Sequence, residues 1–160
     1  MMDIKFMRKA LALAEKAFAL NEVPVGAVIV QNGKVIASGY NTRQHSKDAT
    51  SHAEIVAIRK ACKKFDDWRL EGCDIYVTVE PCPMCAGACI NARIENIYYG
   101  AYEQYGGSCG TVFDIPSNEH LCHRANTQGG IMEEECVALI KEYFKKKREE
   151  NKAKKEEKND

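Results

Sequence analysis

The sequence lacks a long apolar run and has no excess of either charge sign. No run approaches the roughly 18 apolar residues that a membrane-spanning helix needs. Residues 1–5 open an amphipathic pattern, without the apolar core and cleavage site of a secretory signal. We therefore expect a soluble, cytoplasmic protein without a membrane partner. The 23 basic and 23 acidic residues cancel, which argues weakly against nucleic acid, although a local cluster such as Lys145–Arg148 matters more than the total.

The sequence also shows no internal repeat and no sign of a second domain. Its 160 residues, 45% of them apolar, suffice for one domain with a sizeable core. Eight cysteines are present, and disulfides are not expected in a reducing cytoplasm. Some of these cysteines should therefore be metal ligands or reactive thiols, and the others small core residues.

Hydrophobic periodicity predicts alternating helices and strands. A helix over 3–20 is followed by a hairpin of strands 23–30 and 35–40, joined by the Asn32-Gly33 turn. A helix from residue 52, a strand over 74–79, a short helix to about 91, a strand over 94–99 and a C-terminal helix from 132 follow. This order favours an α/β fold with a mixed sheet. We expect a domain over 1–150 and a charged, disordered tail over 151–160.

Two short segments carry metal-ligand chemistry: His52-Ala53-Glu54 and Pro81-Cys82-Pro83-Met84-Cys85. Two thiolates three residues apart can face one point, and an imidazole from another helix can join them. Three protein ligands leave a tetrahedral zinc one open position for water, which is typical of a catalytic site. We therefore predict that His52, Cys82 and Cys85 bind one Zn²⁺ per subunit.

Glu54 is the predicted catalytic residue. Zinc lowers the pKa of a bound water from about 15.7 towards ~7, so hydroxide is available at neutral pH. A carboxylate two residues beyond His52 can take the proton of that water and pass it to a leaving nitrogen. Deamination of an aromatic amidine requires this transfer, because an amide ion is not a viable leaving group.

A structural zinc site is the alternative interpretation of these cysteines. Cys89, one turn beyond Cys85, or Cys62 could supply a fourth ligand. That arrangement leaves Glu54 and Pro81 unexplained. A Cys-x-x-Cys pair alone would also fit a redox motif.

The combined pattern, with Glu22–Ala27, Asp48–Glu54, Tyr76–Cys82, Met84–Ala88 and Gly130–Cys136, resembles a known family. It is similar to the bacterial tRNA-specific adenosine deaminases of the cytidine-deaminase-like zinc deaminase superfamily. The resemblance covers about residues 4–150. It implies a three-layer α/β/α fold with a five-stranded mixed sheet, a homodimer, and hydrolytic deamination of adenosine to inosine at the wobble position of tRNA anticodons by zinc-activated water.

The resemblance further implies that Asn41, Pro24 and Val25 contact the substrate, although a turn asparagine and ordinary strand residues would look the same. RNA loops are bound by stacking and phosphate contacts. Tyr143, Phe144 and the run Lys145–Arg148 are therefore candidates for binding the anticodon stem-loop, together with Tyr102 and Tyr105. Helix packing and a solvated helix end are the alternative interpretations.

Two segments depart from the bacterial pattern. Residues 102–111 are similar to the catalytic subunit of the eukaryotic heterodimeric tRNA adenosine deaminase, which makes an unlike partner conceivable. Residues 123–127 are more polar than expected for a fifth strand, so that strand should be short or exposed.

Two other functions remain open from the sequence. A small-molecule deaminase acting on guanine, cytosine or a free nucleoside would share the zinc site, but the aromatic and basic end of the last helix argues against it. A non-catalytic partner subunit or RNA-binding module would be expected to lack Glu54, which is present.

Overall fold

A computed structural model describes residues 1–159 of the chain. These residues form five helices and five strands. The helices are α1 (Ile4–Ala19), α2 (Arg43–Ser46), α3 (Ala53–Phe65), α4 (Pro83–Asn91) and α5 (Glu133–Asn159), and the strands are β1 (Gly26–Gln31), β2 (Lys34–Tyr40), β3 (Asp74–Val79), β4 (Asn96–Ala101) and β5 (Asn126–Gln128).

The five strands form one mixed sheet in the order β2-β1-β3-β4-β5. The strand β1 pairs antiparallel with both β2 and β3, whereas β3, β4 and β5 run parallel. The expected mixed sheet is confirmed. As expected, β5 is short, and all three of its residues are exposed.

Helices cover both faces of the sheet because successive strand residues point to opposite sides. On one face, Ile75 and Val77 of β3 belong to a core cluster that includes residues of α3 and α4. On the other face, Tyr76 belongs to a second cluster with residues of α1 and α5. The expected three-layer α/β/α architecture is confirmed.

The strand β1 begins at Gly26, three residues later than predicted. Pro24 has no N–H to donate to a neighbouring strand. The chain instead turns tightly around it, with the Val25 N–H donating to the Val23 carbonyl at 2.8 Å. Residues 23–25 therefore lie outside the sheet, just before β1 begins.

Gly39 of β2 allows α3 to pack closely on the sheet. A Cβ atom at this position would lie 2.7 Å from the Ala53 carbonyl oxygen and 2.8 Å from the Ala57 nitrogen. The buried face of α3 is correspondingly rich in alanine, with Ala53, Ala57 and Ala61 fully buried. Small residues on both elements thus fix the height of the first turn of α3 above the sheet.

The C-terminal helix extends further than expected. The sequence favoured a disordered tail over 151–160, but residues 151–159 continue α5, and Asp160 lies outside the described residues. The reason is that Lys, Glu and Ala are strong helix formers, and Glu–Lys pairs four residues apart add further stability. All nine of these residues are exposed, so intrahelical interactions alone support this segment. Among residues 1–159, no helix combines the length and the apolar character that a membrane crossing requires.

Candidate active site

Two helix N-termini converge at one end of the sheet. His52 is the residue immediately before α3, and Cys82 is the residue immediately before α4. Cys85 lies in the first turn of α4, which begins at Pro83, a residue suited to the first helical position because its missing N–H is not needed there. Both helices direct their partial positive ends towards the same point, which favours a thiolate at Cys82.

The three predicted ligands are close enough to bind a single ion. The Nδ1 atom of His52 lies 3.6 Å from the sulfur of Cys82 and 3.5 Å from the sulfur of Cys85. With Zn–S bonds of about 2.3 Å and Zn–N bonds of about 2.0–2.1 Å, tetrahedral geometry places such N and S atoms about 3.5–3.6 Å apart. The observed distances and the donor types therefore fit zinc.

Cysteines outside this group do not complete a four-ligand site. Within residues 1–159, the group of possible ligand atoms lying within 4.8 Å of one another consists of His52, Cys82 and Cys85 alone. Cys89 is fully buried in the core, and burial raises the pKa of its thiol well above the ordinary value. It behaves as a small apolar residue, which argues against the structural zinc site.

The charge environment favours a thiolate at Cys82. Hydrogen bonds with Cys85 and with His52 lower the pKa of Cys82 to about 4, against the opposing effect of burial. The Cys82 interaction raises the pKa of the His52 imidazole. The Cys82 thiolate is thus available as a ligand at neutral pH, whereas His52 must release its proton when a metal ion binds.

Glu54 projects from the first turn of α3 and is 4% exposed. Burial is the main reason that the pKa of its carboxyl rises to about 7, and the nearby Cys82 raises it further. A group with a pKa near neutrality can both accept and release a proton under physiological conditions. Its position and its acidity match the predicted proton-transfer role.

A pocket of about 170 Å³ opens over these groups. That volume is below the ~300 Å³ at the lower end of sites for drug-sized ligands, so it suits one ring system better than a whole nucleotide. Two of the three predicted ligands, His52 and Cys82, line the pocket together with Glu54, whereas Cys85 is fully buried. The complete lining is Val23, Val25, Asn41, Arg43, His52, Ala53, Glu54, Val79, Glu80, Cys82 and Glu103.

The predicted substrate contacts are only partly brought together. Asn41 and Val25 line the pocket, whereas Pro24 is buried and is not among the lining residues in the described part of the chain. Phe144 is exposed and lies in a groove on α5 that also includes Tyr105.

Tyr143 is a packing residue in this structure. Its ring packs edge-on against Phe18 with centroids 5.9 Å apart, and its hydroxyl donates to the Asn21 carbonyl at 3.4 Å. It docks α5 on the end of α1 and is 5% exposed. Tyr143 thus faces inward and Phe144 outward, an arrangement that favours the packing interpretation of Tyr143.

Two buried carboxylates that the sequence had not indicated organise the pocket. Glu80 accepts hydrogen bonds from the backbone N–H groups of Glu103, Cys109 and Thr111 at 3.0–3.1 Å, and from the Thr111 hydroxyl at 2.6 Å. Glu80 thereby fixes the loop over 102–111 beside the ligand turn. The second carboxylate, Glu22, contacts Asn41. The sequence feature that could have revealed Glu22 and Glu80 is that each is an acidic residue beside a largely apolar segment.

The sequence model of the cytidine and deoxycytidylate deaminase zinc-binding region matches residues 1–101, a range that contains the ligand set and Glu54. The chain belongs to this family of zinc-binding deaminases. Together with the ligand geometry, membership assigns one zinc ion per subunit to His52, Cys82 and Cys85.

Relatives within this deaminase family resemble the chain over most of its length. The tRNA-specific adenosine deaminase of Bacillus subtilis is 42% identical over 151 residues, which is 94% of each protein. A structure from a study of A-to-I editing by tRNA:A34 deaminases at the wobble position is 41% identical, with a TM-score of 0.83 over 86% of this chain and 99% of that one. The structure of guanine deaminase from Bacillus subtilis is 40% identical, with a TM-score of 0.62 over 69% of this chain and 71% of the other.

We expect the purified chain to contain one zinc ion per subunit, and the Cys85→Ser variant to lose it because a serine hydroxyl is a poor zinc ligand. Metal analysis by inductively coupled plasma mass spectrometry checks this. The matched control is Cys89→Ser, one helical turn further on, which should retain zinc even if it lowers the melting temperature. A zinc deficit in Cys89→Ser would favour the four-ligand structural site instead.

Proposed function

We propose that this protein is a homodimeric tRNA adenosine deaminase that converts adenosine to inosine at the wobble position of the anticodon stem-loop. The observation that carries the proposal is the match over 94% of the chain, at 42% identity, to a tRNA-specific adenosine deaminase. The overall reaction consumes water and releases ammonia, so a proton must reach the departing nitrogen.

The proposed roles follow from the positions of the side chains. Zinc, when bound, supplies Lewis acidity and lowers the pKa of water towards ~7. Glu54 takes a proton from the attacking water and delivers it to the exocyclic nitrogen at C6 of the purine. Val25 and Asn41 hold the base in a pocket that admits one ring system, so the target nucleotide must leave the stack of the anticodon loop.

An aromatic and basic groove supports a macromolecular substrate. Tyr105 is 94% exposed, and it shares the groove with Phe144, Lys145 and Arg148 of α5. Because Tyr105 is only two residues from Glu103 of the pocket, the groove adjoins the active site. Exposed rings can stack on unpaired bases, while the cations neutralise phosphates.

The basic run is divided around the helix instead of forming one patch. Successive residues of α5 point about 100° apart. Lys146 lies over the Phe18 ring at 5.5 Å, and Lys147 forms an ion pair with Glu150 at 3.3 Å. Of the four cations, Lys145 and Arg148 line the groove, and we propose these two as the RNA contacts.

Deamination of guanine or another small molecule is the second candidate function. It is favoured by the 40% identity to a guanine deaminase and by the small pocket, which does not by itself distinguish a free base from a flipped one. The groove favours RNA, because a free base has no use for an exposed aromatic and basic surface outside the pocket.

The proposed homodimer is supported by exposed apolar residues between β4 and β5. Val112, Phe113 and Leu121 are each more than 40% exposed, and a second copy of the chain could cover them. An unlike partner is the alternative that the loop over 102–111 suggested. A cytoplasmic location remains part of the proposal, since tRNA modification takes place where tRNA is used.

Replacing Glu54 with glutamine should leave zinc bound but lower deamination by about 10²–10⁴-fold, because a carboxamide cannot transfer protons. Ammonia release and zinc content, measured on the same preparation, check this. Glu134→Gln makes the same chemical change on an exposed face of α5 and should behave like the unmodified protein. Loss of zinc from Glu54→Gln would mean that Glu54 is a ligand and that its assigned role is wrong.

The substrate class is tested by comparing turnover of an anticodon stem-loop containing wobble adenosine with that of free adenosine, guanine and cytosine. We expect the stem-loop to be turned over fastest, with inosine quantified by mass spectrometry. Faster turnover of any free compound would refute the RNA proposal and favour the small-molecule function.

Replacing both Lys145 and Arg148 with alanine should raise the Michaelis constant for the stem-loop without changing zinc content. Since phosphate contacts release counterions, the slope of log affinity against log salt should flatten by about 1–2. The matched control removes Lys152 and Lys155 from the exposed end of the same helix. An equal effect of the two pairs would indicate general attraction and count against a specific groove.

A further inference from the structure

Glu22 is a fully buried carboxylate with no role in the proton transfer assigned above. It follows α1 directly after Asn21, which adopts a left-handed conformation with φ of 61°. The backbone N–H of Glu22 donates to the Ala17 carbonyl at 2.9 Å. The end of α1 therefore holds this residue rigidly and turns its side chain into the protein, towards β2 and α2.

Both oxygens of Glu22 are used. One oxygen accepts hydrogen bonds from the backbone N–H of His45 and from its Nδ1 atom, each at 2.8 Å. The other accepts from Nδ2 of Asn41 at 3.1 Å. Burial raises the pKa of Glu22, but the hydrogen bonds with His45 and its backbone outweigh burial and bring the pKa below the ordinary value. The side chain is thus an ionised, acceptor-only group at neutral pH.

This contact fixes which way the Asn41 amide points. An ionised carboxylate can only accept hydrogen bonds, so the nitrogen of Asn41 must face Glu22 and the oxygen must face elsewhere. Asn41 is 6% exposed and lines the pocket. Its Oδ1 has no hydrogen-bond partner within residues 1–159, yet no side-chain oxygen in that range is both buried and unsatisfied. The Oδ1 atom is therefore accessible to solvent. Since Asn41 lines the pocket, we infer that this oxygen faces the pocket.

We propose that Glu22 is a positioning residue that locks the Asn41 amide so that the pocket presents a hydrogen-bond acceptor to a donor group on the purine nucleoside. This inference rests on the proposed function, because it takes Asn41 as a substrate contact. Selectivity follows from the orientation: a substrate with a hydroxyl or N–H at this point is bound, and one with only an acceptor there is rejected. With the amide reversed, the pocket would present a donor and select the opposite pattern.

A Glu22→Gln variant tests the orientation directly. The oxygen of the introduced glutamine can keep the His45 hydrogen bonds, which turns its NH₂ group towards Asn41. Asn41 must then present its oxygen to this NH₂ group and its nitrogen to the pocket. We expect kcat/KM for the stem-loop to fall about 10–100-fold, with zinc content and melting temperature close to those of the unmodified protein. Glu15→Gln, on the exposed face of α1, is the matched control and should leave kcat/KM unchanged.

The rescue is the double variant Glu22→Gln with Asn41→Asp. The NH₂ group of the glutamine then donates to the aspartate, whose second oxygen faces the pocket as an acceptor, so much of kcat/KM should return. Asn41→Asp alone places two carboxylates in contact and should lower the melting temperature. Failure of the double variant to recover activity while folded and zinc-loaded would overturn the proposal, as would an unchanged kcat/KM in Glu22→Gln.

A readout independent of turnover separates this inference from the proposed function. In ¹⁵N spectra, the side-chain NH₂ of Asn41 should show slow hydrogen exchange, because it donates to a buried carboxylate, and Glu22→Gln should accelerate this exchange. If the unmodified protein did not deaminate the stem-loop, the proposed function would fail while this measurement still decided the orientation. Fast exchange in the unmodified protein would refute the lock itself.

Discussion

The convergence of two helix N-termini on one point determines the rest of the site. His52 precedes α3 and Cys82 precedes α4, so the metal ligands inherit their positions from the packing of these helices on the sheet. That packing depends on close contact, since Gly39 of β2 leaves no room for a side chain beneath the first turn of α3. A change in helix height would move His52 and Glu54 together, and the ligand distances tolerate little displacement.

Three buried carboxylates around the pocket are stabilised in three different ways. Glu80 is stabilised by four hydrogen bonds that it accepts from the neighbouring loop. Glu22 is paired with His45 and Asn41. Glu54 has the fewest compensating interactions, and its pKa is raised to about 7 as a result. The two carboxylates that support the structure, Glu80 and Glu22, are thus well hydrogen-bonded. The carboxylate that must transfer a proton, Glu54, has fewer stabilising contacts and a pKa near neutrality.

Much of the molecule could be predicted from local patterns, for physical reasons. The ligands and Glu54 are specified by short-range spacing, because helix termini place residues such as Cys82 and Cys85 on one side regardless of the remaining fold. Contacts between distant parts of the chain could not be predicted this way. Glu80, for example, accepts hydrogen bonds from residues that lie between 23 and 31 positions later in the sequence. The orientation of Tyr143 depended on the rotational setting of α5 against α1, which the sequence constrains only to within a helical face.

The anchoring of the loop over 102–111 has an evolutionary consequence. Three of the four hydrogen bonds that Glu80 accepts come from backbone N–H groups, those of Glu103, Cys109 and Thr111. Every residue except proline carries such a group. Exposed side chains between these points can therefore be exchanged by mutation without loosening the loop, as long as its length is kept. Gly107 is an exception, because a Cβ there would clash with both the Glu103 carbonyl oxygen and a carboxylate oxygen of Glu80. Tyr102 and Tyr105 occupy exposed positions of this loop at which other side chains would be tolerated. A fixed catalytic centre is thereby surrounded by a rim that natural selection can rewrite, so recognition of new targets can arise without loss of the underlying chemistry.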